Sequence, residues 1–292
     1  MAAVTAPRAL DTRPGVLGLA ALAPASWGTT YVVTTTLLPP DRPLLAGALR
    51  ALPAGLVLLL ATRRLPRGAW WWKGTVLGML NFGAFMPLLF FAAYRLPGGV
   101  AATIGSVQPL VVALLSLGVL GVKPSRAILC SALVGTAGVA LLTLTGDAAL
   151  DPLGVLAMLA ATSLMAAAIV LAKKWGRPEA PLAMTGWQLT IGGLAIAPLA
   201  LLLEGPPPAL TAPNLIGFLY LGAFGTALAY VLWFRGIDRL PATSVSLLGL
   251  TNPMVATLAG LIVLGQTLTP WQIVGFTVAL GALVAGQTLD RK

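Results

Sequence analysis

Long apolar runs, interrupted at short intervals by proline, glycine and basic residues, fill the chain from about residue 15 to residue 289. A helix needs about 20 apolar residues to cross the hydrocarbon core of a bilayer. Ten runs meet that length: 15–38, 43–62, 74–94, 97–122, 127–145, 152–172, 181–203, 213–234, 240–264 and 271–289. They predict an all-α polytopic membrane protein of ten transmembrane helices, with connections too short to hold a soluble domain.

Composition and charge sharpen this picture. Hydrophobic residues make up 58% of the 292 positions and charged residues 9%, against about 25% charged in ordinary soluble domains. With ten spans both tails, 1–14 and 290–292, lie on one side. That side collects fifteen Lys and Arg residues, and the other only Arg42 and Arg95. The asymmetry predicts cytoplasmic termini in a bacterial inner membrane. The net charge of +10 then marks topology and contact with anionic lipid, not nucleic-acid binding. Arg8 and Arg13 ahead of an apolar run containing Ala23, Pro24 and Ala25 also fit a signal peptide, but the repeat described next predicts that the first span is retained.

Aligning Arg95 with Arg239, 144 residues on, makes eleven of 27 consecutive positions identical, including Pro97 with Pro241 and Pro109 with Pro253. The third and eighth runs share Gly83-Ala84-Phe85 and Gly222-Ala223-Phe224, and the first and sixth share Ser26 and Ser163 at similar depth. The chain is thus expected to hold two five-helix units, 15–145 and 152–289, joined by an outer linker, 146–151. Five spans per unit is an odd number, so the units are inverted relative to each other. Secondary transporters commonly use this architecture, with substrate held near the midplane between the halves.

The absences are as informative as the motifs. There is no histidine and one cysteine, Cys130, which removes histidine-ligated metals, histidine proton relays and an internal disulfide. No Asp-rich motif or nucleophile with a base suggests a membrane enzyme such as a lipid transferase. No cofactor is expected. All eight acids fall in predicted loops or tails, so the usual intramembrane proton carrier is missing; transport is expected not to require a proton gradient, and proton coupling would have to use a tyrosine, a loop acid or water. Arg50 is the one charge in a predicted span.

Several span residues are candidates for substrate contact. Trp27 lies 12 residues into its span, about 18 Å deep, too deep for an interfacial belt, and Tyr31 shares its face; the pair forms either an aromatic wall or packing filler. Trp70, Trp71 and Trp72 beside Lys73 read as interfacial anchors. Asn81, with Phe85 one turn on, needs a partner from another helix or a ligand. Gln108 and Asn252 each precede a proline, Pro109 and Pro253, whose missing N–H kinks the helix or provides a hinge. Arg50 would snorkel, bond carbonyls, or receive a substrate carboxylate. Gln188, beside Trp187, is its counterpart in the seventh span.

The stretch Ala25, Ser26, Trp27, Gly28, Thr29, Thr30 and Tyr31, with Arg50, Leu96-Pro97, Gln108-Pro109, Leu240-Pro241 and Asn252-Pro253, resembles the drug/metabolite transporter superfamily, in its ten-span branch of two EamA-type repeats. The resemblance covers nearly the whole chain and implies a cavity lined by spans one, three, four, six, eight and nine. It is similar to bacterial exporters of aromatic amino acids, which implies export of aromatic or other neutral amino acids by alternating access. Drugs, sugar derivatives and lipid-linked sugars are the alternative cargoes the family allows. The partners expected are a small-molecule substrate and the bilayer; nothing in the sequence requires a second copy.

Overall fold

The computed structural model describes residues 13–40, 42–93, 95–96, 98–143, 151–263 and 268–289; the tails and the linker up to residue 150 lie outside the described residues. Each apolar run is helical. In chain order these are α1 (Arg13–Gly28 and Thr30–Leu37), α2 (Pro43–Thr62), α3 (Trp70–Gly78, a π turn Met79–Gly83, and Phe85–Ala93), α4 (Gly98–Gly105 and Gln108–Leu120) and α5 (Arg126–Thr143). They continue with α6 (Pro152–Trp175), α7 (Pro181–Leu203), α8 (Ala212–Gly222, a π turn Ala223–Leu228, and Ala229–Arg239), α9 (Ala242–Leu248 and Thr251–Val263) and α10 (Pro270–Leu289). Among the described residues nine helices are long and apolar enough to cross a membrane, and α5 is a shorter tenth.

The polarity is that of a chain solvated by lipid. Leu60, Leu114, Leu202 and Ile262 are more than 70% exposed, while Arg50, Asn81, Gln188 and Thr226 are buried. Polar side chains inside and bare aliphatic ones outside suit hydrocarbon, where a polar group finds partners only within the protein.

Close packing at glycine builds the scaffold. The α2 and α7 helices cross closely: a methyl group placed on Gly55 would lie 2.5 Å from the Thr190 amide, and one on Gly193 would lie 2.7 Å from the Leu52 amide. Gly55 follows Pro43 by as many residues as Gly193 follows Pro181, so the contact is reciprocal. Gly138 of α5 and Gly275 of α10 approach each other's carbonyls in the same way. Likewise α1 packs on α8 and α9, and α6 packs on α3 and α4. The first helix of each expected unit therefore docks on the third and fourth of the other.

Loop contacts gather at the two ends of the bundle. At one end, the Glu204 carboxylate accepts from the Leu44 and Leu45 amides at 2.6 and 2.9 Å, an anion capping the start of α2. Asp151 caps α6 through the Leu153 amide and pairs with Arg95 at 3.0 Å; that guanidinium holds the Asp151 carboxyl below its ordinary pKa. At the other end, Arg64 pairs with Glu179 and Arg177 with Asp238. Lys73 lies over the rings of Trp70, Trp72 and Trp175, and Trp71 and Trp72 are exposed.

Two expectations need correction. The α8 helix runs to Arg239 instead of stopping at 234, which carries Asp238 into a helical span. The extension holds because Arg177 neutralises Asp238 at 3.2 Å and the Lys173 ammonium donates to the Ile237 and Asp238 carbonyls at the helix end. The shared Gly-Ala-Phe triplets are also out of structural register. The two π turns open at Met79 and Ala223, 144 residues apart, the same spacing that relates Arg95 to Arg239, whereas the triplets are 139 apart.

Candidate functional site

Three kinds of helix irregularity converge on the bundle interior. The α1 helix breaks at Thr29, whose hydroxyl is donated to the Ser26 carbonyl or shared with the Tyr220 hydroxyl, each at 2.8 Å. The α4 and α9 helices break just ahead of Gln108-Pro109 and Asn252-Pro253. In both, two successive amides turn back three residues: Ser106 to Thr103 and Val107 to Ile104 in α4, Gly249 to Ser246 and Leu250 to Leu247 in α9. A proline in the new first turn costs little, because its missing donor would be unpaired there in any case. The π turns of α3 and α8 widen the helix by one residue, a feature frequent at functional sites.

Each π turn is gripped by a side chain from the second helix of the opposite unit. From α2, the buried Arg50 donates through Nε to Thr226 Oγ1 at 3.1 Å and through Nη2 to the Gly225 carbonyl at 3.3 Å. From α7, the buried Gln188 accepts through Oε1 from Asn81 Nδ2 at 2.8 Å. Asn81 and Gly225 are the third residues of their π turns, and Arg50 and Gln188 follow Pro43 and Pro181 by the same distance. The two ties are thus equivalent, one charged and one neutral. No carboxylate pairs with Arg50 among the described residues, so its charge is compensated only by dipoles.

An aromatic cluster lies alongside the two ties. Trp27 donates its indole N–H to the Gly225 carbonyl at 3.0 Å, sharing that acceptor with Arg50. Its ring lies 4.9 Å from Tyr230 and 5.3 Å from Trp233. Tyr230 touches Phe82 at 4.5 Å and Phe234 at 5.7 Å, within the range of favourable aromatic pairs. Phe85 is buried in the same core. At the end of the bundle that carries Arg177 and Asp238, a narrow cavity with those two residues in its wall reaches Gln188 and Phe234.

The structure therefore brings Trp27, Arg50, Asn81, Phe85 and Gln188 into one region. Gln108 and Asn252 sit at the two proline breaks: a methyl on Gly249 of α9 would meet Gln108 Oε1 at 3.5 Å, and one on Gly28 would meet the Asn252 backbone carbonyl at 2.6 Å. Gly28 is what lets α9 approach α1 beside Trp27. Ser26 and Ser163 donate their hydroxyls to Ala23 and Leu159 of their own helices, and Ser163 is exposed, so the structure does not bring Ser163 to this region. The side chain of Tyr31 lies outside the described residues. Pro109 and Pro253 are buried in the first turns that follow the breaks.

Phe82, Thr226, Tyr230, Trp233 and Phe234 are site neighbours that sequence reasoning missed. For three of them a signal existed: Tyr230, Trp233 and Phe234 stand at i, i+3 and i+4, an aromatic stripe on one helical face. Thr226 carried none, because its partner is 176 residues away.

This discontinuous-helix bundle, with a buried cation and an aromatic cluster at its centre, is a membrane transporter by its family. The chain belongs to the EamA-like transporter family, whose profile matches twice, over residues 14–144 and 152–285. It is 47% identical to Protein PecM of Dickeya dadantii over 270 residues, covering 92% of this chain and 91% of that protein. It is 29% identical to the transporter YwfM of Bacillus subtilis, covering 91% of each. It is 28% identical to the inner membrane transporter YedA of Escherichia coli, covering 88% of this chain and 86% of YedA. A protein of known crystal structure shares the fold with a TM-score of 0.82 at 20% identity, covering 96% of this chain and 99% of that one.

Proposed function

We propose that the chain exports small aromatic metabolites, aromatic amino acids foremost, across the bacterial inner membrane by alternating access, with both termini in the cytoplasm. The observation that carries this reading is the placement of Trp27. It packs at a tilt on Tyr230 and edge-on against Trp233 and shares the Gly225 carbonyl with Arg50, which puts an aromatic, apolar surface beside the arginine that is buried among the described residues. An aromatic amino acid offers a ring for the first and a carboxylate for the second. The inverted-repeat reading supplies the motion: the equivalent ties Arg50 to Gly225 and Asn81 to Gln188 hold the two halves, and α4 and α9 bend at Pro109 and Pro253.

Trp27→Ala tests the reading. Losing one aromatic contact worth about 0.5–1.5 kcal/mol lowers affinity for tryptophan and phenylalanine by about 2- to 12-fold at 1.4 kcal/mol per decade, and leaves alanine less affected. Uptake into proteoliposomes, normalised to monodisperse protein, measures all three. Equal losses for the three substrates would make Trp27 a packing residue, and unchanged transport of all three would remove it from the site.

A further inference from the structure

Trp233 is 1% exposed, and its indole N–H has no acceptor among the described residues. The chain does not treat its other inward-facing indoles this way. Trp27 donates to the Gly225 carbonyl and Trp187 to the Arg64 carbonyl at 2.6 Å. The distinction matters because an indole N–H is a donor only and is held rigidly by its ring. Unpartnered hydroxyls such as those of Ser116 and Thr190 can rotate, and a Ser or Thr hydroxyl can bond the carbonyl four residues back in its own helix. The Trp233 indole can do neither. A phenylalanine here would fill much the same space without a buried, unmet donor, so the N–H carries a cost that packing does not explain. Its position supplies the reason: the ring stands 5.3 Å from Trp27 at an interplanar angle of 62°, one turn from Tyr230, inside the aromatic cluster.

We infer that Trp233 Nε1 is a specificity-determining donor that hydrogen-bonds an oxygen acceptor on the bound aromatic substrate. The inference rests on the aromatic-substrate reading above and deepens it. The class of ligand it selects is an aromatic compound with a carboxylate or carbonyl oxygen close to its ring. The Arg50 guanidinium, linked to Trp27 through the Gly225 carbonyl, adds a positive field that favours the anionic members of that class. A bare ring satisfies the stacking faces and leaves the Trp233 donor unmet.

Three ligands with one ring separate these contributions: tryptophan, indole-3-acetate and indole. Binding of each to purified wild-type protein and to Trp233→Phe is measured by competition with labelled tryptophan or, for indole, directly by calorimetry. Trp233→Phe is expected to weaken tryptophan and indole-3-acetate by about 3- to 10-fold and to leave indole within about twofold, since no donor is used there. The thermal midpoint of the ligand-free variant is expected to equal or exceed that of wild type, because an unmet buried donor has been removed. A purely structural role would lower the midpoint and weaken all three ligands together. An unchanged ratio between indole-3-acetate and indole, whether both fall or neither does, overturns the role of Trp233 alone. Failure of the wild-type protein to bind any of the three overturns the aromatic reading, and the inference with it.

Discussion

Gly193→Leu is expected to abolish recovery of folded, monodisperse protein. A single methyl group at this position would already lie 2.7 Å from the Leu52 amide and Cβ and 2.8 Å from its Cα. Those are the backbone of α2 and the first side-chain carbon fixed to it, which cannot rotate aside as the tip of a side chain can. Inserting methylenes into a well-packed contact costs about 1–3 kcal/mol even where neighbours adjust, and a leucine adds four carbons where not one fits. The reciprocal change at Gly55 meets Thr190 at 2.5 Å and is expected to behave alike. Gly281→Ala is the control: nothing lies within 4 Å of the added carbon, and Ala in a helix interior is favoured over Gly by about 0.8–1 kcal/mol. Thermal denaturation in detergent, followed by size-exclusion chromatography, checks all three. A stable, monodisperse Gly193→Leu protein would contradict the α2–α7 contact on which the position of Arg50 depends.

The second large effect is expected from Arg50→Gln. Its equivalent position on α7 is already a glutamine, Gln188, which ties the other π turn through its amide. Glutamine at position 50 therefore keeps a neutral donor for the Gly225 carbonyl and removes the charge, so the fold is expected to persist. A hydrogen bond to a charged group contributes about 1.5–3 kcal/mol, which corresponds to a loss of roughly 10- to 150-fold in affinity for a substrate carboxylate. Binding of indole, which has no carboxylate, is expected to change far less. Comparing tryptophan and indole on the purified variant makes the measurement. A parallel fall for both ligands, with a lowered thermal midpoint, would instead assign Arg50 to holding α8 in place.

The sequence made much of this scaffold legible and left its wiring hidden. Hydrophobic length was enough to place ten helices, because the bilayer imposes one thickness on every span. Pro109 and Pro253 marked the breaks in α4 and α9, since a missing N–H is a local property. The break in α1 had no such mark: Thr29 is held by Tyr220, 191 residues away. The π turns were invisible for a related reason: their glycine, Asn, Phe and Thr also occur elsewhere in the spans, and the extra residue is held by side chains from α2 and α7. The same pattern governs the site. Trp27, Arg50, Asn81 and Gln188 stood out as polar or aromatic groups at membrane depth, and depth is readable from position in a span. Which group would meet which was not readable, because Arg50 and Trp27 meet at a backbone carbonyl. Ser163 shows the limit in the other direction: matching depth in the repeat suggested equivalence with Ser26, but the rotation of α6 leaves it exposed with its hydroxyl bonded to Leu159.

The most direct test of the account is counterflow in proteoliposomes containing the wild-type protein, loaded with unlabelled tryptophan, at equal internal and external pH. The account predicts that labelled tryptophan and phenylalanine accumulate inside while labelled alanine enters far more slowly, and that imposing a pH gradient is not required. Absence of exchange for every aromatic amino acid, or exchange that appears only with a pH gradient, would contradict it.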